Sequence, residues 1–255
     1  MLFDSIIIGP IISRRLGRSL GVNLLHQKAK ICSFDCIYCE CGFNFQSKEG
    51  YQPKRDEVYK ALENKMIELH EVGEGIDVIT FAGNGEPTTH SQFPQIIGDT
   101  IELRNRYFPD AKVSVLSNAT MIWREEWRTA LLKVDNNIQK LDSAIDHTIT
   151  LINQPQSKKF NATDLINDLA KFNGDVVIQT LFLRGEYNGN IIDNTTEEEV
   201  SAWLNALKII RPKEVMLYSL DRPAPAKGLI KVEYDELRTI ADRVEALGIK
   251  TQVTK

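Results

Sequence analysis

Residues Ile31 to Gly42 read I-C-S-F-D-C-I-Y-C-E-C-G and hold all four cysteines of a 255-residue chain. Cys32, Cys36 and Cys39 are spaced C-x3-C-x2-C, and Cys41 follows two residues later. Thiolates are soft ligands that favour iron–sulfur clusters or zinc. Three ligands close together, with no remote fourth, point to a cubane with one iron left open, and an open metal position is where a substrate or cofactor binds. A zinc knuckle built from Cys32, Cys36, Cys39 and Cys41 is the alternative, although structural zinc normally uses two separated ligand pairs. A disulfide fits less well, because nothing upstream resembles an export signal.

The next signal lies at Ala82 to Thr88, A-G-N-G-E-P-T, directly after the β-rich run Asp77 to Phe81. Glycines at a strand end let the backbone approach a ligand, Pro87 fixes the exit, and Glu86 can accept hydrogen bonds from an ammonium group.

Together these residues carry a family resemblance. C-x3-C-x2-C with Tyr38 before the last cysteine is similar to the signature of radical S-adenosylmethionine (SAM) enzymes. Gly83, Asn84, Gly85, Glu86 and Pro87 resemble the superfamily's G-G-E-P motif, with Asn84 replacing the second glycine. The stretch S-R-R-L-G-R-S-L-G (13–21) with the cysteine loop resembles one branch, which holds the tRNA wyosine-synthesis enzymes and related uncharacterised Fe–S oxidoreductases. The resemblance implies a [4Fe-4S] cluster on Cys32, Cys36 and Cys39 whose open iron chelates SAM. It implies reductive cleavage to a 5'-deoxyadenosyl radical that abstracts hydrogen from substrate. It also implies that the Gly83–Pro87 turn holds the SAM amino group and that an electron donor such as flavodoxin or ferredoxin is needed. Tyr38 either packs against adenine or is a plain core aromatic. tRNA enters only by analogy.

Along the chain, Gly9 to Leu25 reads as a looped entry, with 1–19 as an N-terminal extension and Leu20 to Leu25 as a first strand. Strand-like runs at 77–81, 113–117, 141–144, 175–182 and 214–219 alternate with helical patterns at 53–72, 91–106, 123–133, 163–172, 197–210 and 234–247. Residues 250–254 add a short tail strand. Six strand–helix units imply parallel strands with helices outside, as an open sheet or a curled one. The resemblance selects the second: an α/β, partial (β/α)6 TIM-like barrel of the radical SAM type, as one domain over 1–255 with 31–42 as the cluster-binding loop.

Both motifs follow strands at their carboxyl ends, where such sheets place their sites. Asn118, Asp142, Ser143, Gln179, Ser219, Asp221 and Arg222 fall at the ends of later strands. Asn118, Ser143 and Gln179 are candidates for holding SAM, and Cys41, Asp142 and Gln179 are the catalytic candidates. Arg222 suits a carboxylate or phosphate clamp. Arg14, Arg15 and Arg18 form either an anion contact or a solvated turn. Gly185 to Asn194 reads as a gating loop, and Trp123, Trp127 and Trp203 as packing residues.

The net charge of −4 argues against a broad nucleic-acid surface. No apolar run reaches membrane-spanning length, so the expectation is no membrane and a reducing cytoplasm. The preferred function is a radical SAM enzyme of unidentified substrate. The alternatives are a protein-activating enzyme of the glycyl-radical-installing type and a non-catalytic Fe–S or zinc module.

Overall fold

The computed structural model describes residues 2–13 and 17–254. Arg14 and Arg15 lie outside them. The chain divides into two units, the first comprising Met1–Cys32, Asn44–Ser117 and Met121–Asn137.

The first unit opens on a hairpin rather than a loop. β1 (Ile7–Ser13) pairs antiparallel with β2 (Gly17–Val22), and the register shifts between Ile8 and Ile11. Isoleucines on both sides of Gly9-Pro10 favour strand, and the irregularity absorbs the pair that suggested a turn. After β2 come α1 (Arg55–Glu71), β3 (Val78–Phe81), α2 (Phe93–Tyr107), β4 (Lys112–Ser117) and α3 (Glu125–Leu131). β2, β3 and β4 are parallel, in the order β1-β2-β3-β4. All four residues of β3 are buried, as in a parallel strand covered on both faces. α1 buries Val58, Leu62, Met66 and Leu69, the stripe its period demands.

The second unit comprises Ser33–Phe43, Asn118–Thr120 and Ile138–Lys255. β5 (Asn136–Lys140) leads into it, followed by α4 (Asp146–Asn153), α5 (Ala162–Ala170), β6 (Val177–Leu181), β7 (Leu183–Tyr187) and β8 (Asn190–Asp193). α6 (Glu197–Ile210), β9 (Glu214–Tyr218), β10 (Leu229–Lys231), α7 (Tyr234–Glu245) and β11 (Lys250–Val253) complete it. Its main sheet runs β5-β6-β9-β11, all parallel, so the expected tail strand is present.

Three expectations are corrected here. The fourth strand is Asn136–Lys140, not 141–144, because N-N-I-Q-K has one apolar residue in five and hides from hydropathy although Asn137 and Gln139 are buried. The gating loop is a hairpin: β7 and β8 form an antiparallel sheet with β10, in the order β10-β7-β8. α4 was not expected. Its Asp-His-Thr start and eight-residue length leave little periodicity to read.

Candidate functional site

In the first unit the glycine turn lies directly after β3. A Cβ on Gly83 would stand 2.3 Å from Asn23 Oδ1, and one on Gly85 would stand 2.2 Å from the Ile31 carbonyl oxygen. Gly85 also has φ +141°, where side chains are strained. The close approach exists because Ile31 forms a parallel bridge with Gly85 and its N–H donates to the Asn84 carbonyl (3.3 Å). The turn therefore receives the segment that leads into Cys32. Cys32 is held in addition by Asn44: its N–H donates to Asn44 Oδ1, and Asn44 Nδ2 donates to the Cys32 carbonyl, both at 3.1 Å.

Asn84 needs no left-handed backbone; the positive φ falls on Gly85. Its buried side chain accepts from Phe3 N–H (2.8 Å) and donates to the carbonyls of Phe3 (2.7 Å) and His26 (3.0 Å). Its side chain thus ties the turn to Phe3 and His26. Glu86 is buried at the start of a 3-10 turn over Pro87–Thr89, where Oε1 accepts from Thr88 N–H (3.0 Å) and Thr88 Oγ1 (2.5 Å).

In the second unit the cysteine loop hangs on the carboxyl end of α4. Asp35 N–H donates to the Asn153 carbonyl (2.9 Å) and Ile37 N–H to that of Ile152 (3.0 Å), while Gln156 N–H donates to Ser33 (2.9 Å). Asn118 Nδ2 donates to Ser33 Oγ (2.9 Å), tying this candidate to the loop. Phe43 stacks on Tyr187 of β7 with centroids 6.1 Å apart, and Ala226 N–H donates to the Ile37 carbonyl (3.2 Å). The small sheet and the segment before β10 thereby cover the loop. Arg222 pairs with Glu40, between Cys39 and Cys41, at 2.5 Å. Arg18, in the first unit, pairs with Glu74.

Beneath the loop lies a buried polar cluster centred on Asp142. Its Oδ2 accepts from Tyr38 OH and from Asn153 Nδ2 (2.7 Å). Its Oδ1 accepts from Leu181 N–H (2.9 Å) and faces Lys140 Nζ at 3.4 Å. Lys140 Nζ donates to Tyr218 OH (2.9 Å) and sits 5.1 and 5.2 Å from the ring centroids of Tyr38 and Tyr218. Asn153 Nδ2 also lies 3.4 Å from Cys36 Sγ. Tyr38 belongs to a core with Ile37, Ile152, Leu181 and Leu183, which accounts for its aromatic character without adenine.

Burial, and then the Asp142 charge, push the Cys36 thiol up to about 11 and hold Tyr38 well above its ordinary value. Burial alone would lower the Lys140 ammonium, but Asp142 and then Tyr218 outweigh it and raise it. Lys140 is thus a half-buried cation held beside Asp142.

Lys140, Asn153 and Tyr218 were not singled out from the sequence. Neither was Glu199, which is buried and accepts from Ser143 Oγ (2.6 Å) and Thr148 Oγ1 (2.5 Å). Ser143 therefore braces α6. Gln179 is buried mid-strand in β6, and Ser219 Oγ bonds the Phe182 carbonyl and Val232 N–H. Trp127 and Trp203 are buried, whereas Trp123 is 60% exposed, with the Arg124 guanidinium over its ring.

All four cysteines are half-buried and none forms a disulfide. Among the described residues no three His, Cys, Asp or Glu side chains converge as a metal-binding group. The donor chemistry fits an iron–sulfur cluster: closely spaced thiols on a segment free of helix and strand, with an amide N–H directed at one sulfur. No helix is long and apolar enough to cross a membrane among the described residues.

No family model matches the chain. It is 30% identical to the UPF0026 protein MJ1312 of Methanocaldococcus jannaschii over 239 residues, covering 89% of this chain and 67% of that protein. It is 30% identical to a UPF0026 protein of Helicobacter pylori over 243 residues, covering 91% and 71%. A protein called GTPase Obg from Brachyspira hyodysenteriae is 29% identical over 223 residues, which span 85% of this chain and 30% of that protein. Among solved structures, a radical SAM methyltransferase from Sphaerobacter thermophilus matches with TM-score 0.67 and 14% identity, covering 92% of this chain and 65% of that one. TYW1 with a lysine–pyruvate adduct matches with TM-score 0.59 and 14% identity, covering 90% and 73%. The chain has the radical SAM fold, as the sequence motifs anticipate.

Proposed function

The chain belongs to the UPF0026 protein family, and from that premise we propose that it is a radical SAM enzyme carrying a [4Fe-4S] cluster on Cys32, Cys36 and Cys39. The observation that carries this reading is the Ile31–Gly85 bridge, which ties the entry to the cysteine motif to the Gly83–Pro87 turn in a chain of radical SAM fold. Two motifs that could each occur by accident share one backbone contact.

Cys32, Cys36 and Cys39 would hold the cluster, which when bound and reduced would supply the electron for reductive cleavage of SAM. The chain's own residues do the rest. Asn44 fixes the Cys32 backbone, and the end of α4 fixes Asp35 to Ile37. The Gly83–Pro87 turn takes the amino group of SAM. Glu86 Oε1 already serves Thr88, but a carboxylate offers about four lone-pair positions and can share one. Phe43, Tyr187 and Ala226 pack over part of the loop. The electron comes from a small donor such as flavodoxin or ferredoxin, in a reducing compartment.

The test is spectroscopic. Anaerobically reconstituted protein should bind about four iron and four sulfide per chain and give an EPR signal on reduction that SAM perturbs. A colourless protein holding one tightly bound zinc would sink the proposal.

A further inference from the structure

The Asn153 side chain lies against Cys36 at the end of an element no motif predicts. Its Nδ2 is within reach of three acceptors: Asp142 Oδ2 at 2.7 Å, Tyr38 OH at 3.2 Å and Cys36 Sγ at 3.4 Å. An amide nitrogen carries two hydrogens. The shortest contact commits one of them to Asp142. Asp142 also fixes which way the amide faces, since the flipped form would set a carbonyl oxygen against a carboxylate. The Tyr38 hydroxyl spends its own proton on Asp142. The second amide hydrogen is then shared between that hydroxyl and Cys36 Sγ, and a sulfur bearing ligand charge is the stronger claimant.

The placement is rigid. The Asn153 carbonyl accepts from Asp35 and the Ile152 carbonyl from Ile37, so the backbone on both sides of Cys36 is pinned to the turn that carries the amide. Asn153 is 2% exposed, and Asp142 is buried beside it. The amide is thus oriented by a carboxylate, and the turn that carries it is held by backbone bonds to Asp35 and Ile37.

We propose that Asn153 is a positioning and tuning residue for the cluster: oriented by Asp142, its amide N–H donates to Cys36 Sγ and raises the cluster's reduction potential. Hydrogen bonds to cluster sulfurs stabilise the more negative, reduced state, which is how proteins set such potentials. This inference rests on the radical SAM reading above.

The test is a potentiometric EPR titration of the reconstituted protein beside Asn153→Leu, which removes the donor at similar volume. The variant should bind the same iron and sulfide, yet need a lower potential for half-reduction. The reduced-to-oxidised ratio at fixed poise should fall about tenfold, equivalent to about 59 mV for one electron. An unchanged potential with a full cluster overturns the inference. A second measurement does not depend on the variant folding. Protein grown with asparagine labelled with 15N at the side-chain amide should show a 15N coupling in pulsed EPR of the reduced cluster, and its absence overturns the inference. If the unsubstituted protein assembles no cluster at all, the radical SAM reading fails first, and that outcome is distinct from either.

Discussion

Gly85 and Ile31 meet so closely that a single methyl group on the glycine would stand 2.2 Å from the isoleucine carbonyl oxygen. Gly85→Ala therefore forces the segment entering Cys32 away from the turn. The backbone conformation alone costs on the order of 1–3 kcal/mol, and the steric clash adds to it. We expect a lower Tm and a loss of SAM affinity together, read by calorimetry and equilibrium binding. A variant with unchanged Tm would show that the contact is not obligatory.

Asn84→Gly restores a glycine that the family motif has at this turn, yet it should harm this protein. The side chain carries bonds to Phe3 and His26 that no glycine replaces, and each such bond contributes about 0.5–1.5 kcal/mol. Chemical denaturation should show a lower midpoint with an unchanged slope. A stabilised variant would contradict the structural role assigned to Asn84.

Asp142→Ala leaves the half-buried Lys140 ammonium without its carboxylate and strips an acceptor from Tyr38, Asn153 and Leu181. Leaving buried donors without their acceptor costs about 1–3 kcal/mol each. Asp142→Asn keeps the shape but loses the charge and turns one of the two acceptor oxygens into a donor, so it should unfold below the parent and above the alanine variant.

Cys36 in metal-free, reduced protein should alkylate slowly. With its thiol at about 11 rather than 9.0, the thiolate fraction at pH 9 is about 1% instead of one half, roughly a fiftyfold reduction. The sign follows from burial and the Asp142 charge, both of which disfavour the thiolate, so the rate should climb until pH passes 11. Asp142→Asn should speed the reaction at any given pH below that. Peptide mapping after timed iodoacetamide exposure reads both, and a midpoint near 9 in the parent protein would refute the assignment.

Cys41→Ser should keep the iron and sulfide of the parent, whereas Ala at Cys32, Cys36 or Cys39 should lose them. Retention of iron in any of those three, or its loss from Cys41→Ser, would reassign the ligands.

The alternation of strands and helices was legible because its apolar stripes are strong: α6 is read from Glu197 to Ile210 with no error, and β3 and β4 to within a residue at each end. β5 was misplaced because its buried face is amide rather than hydrocarbon. The motifs pointed to the cysteines and the glycine turn, since backbone geometry and thiol chemistry restrict which residues can serve there. Asn44, Lys140, Asn153, Glu199 and Tyr218 were not legible. Each is an ordinary polar residue with no motif around it, and only the folded backbone brings Asn153 to Cys36 across 117 positions. The polar residues at strand ends illustrate the converse. Asn118, Ser143 and Ser219 fell where a cavity was expected, yet their hydrogen bonds brace loops and helices.

The most direct test of the whole account is the amount of 5'-deoxyadenosine formed when reconstituted protein is mixed anaerobically with dithionite and SAM, with Cys36→Ala beside it. The account predicts 5'-deoxyadenosine and methionine in equal amounts by mass spectrometry from the intact protein and none from the variant. Equal yields from both proteins, or none from a fully loaded cluster at any SAM concentration, would contradict it.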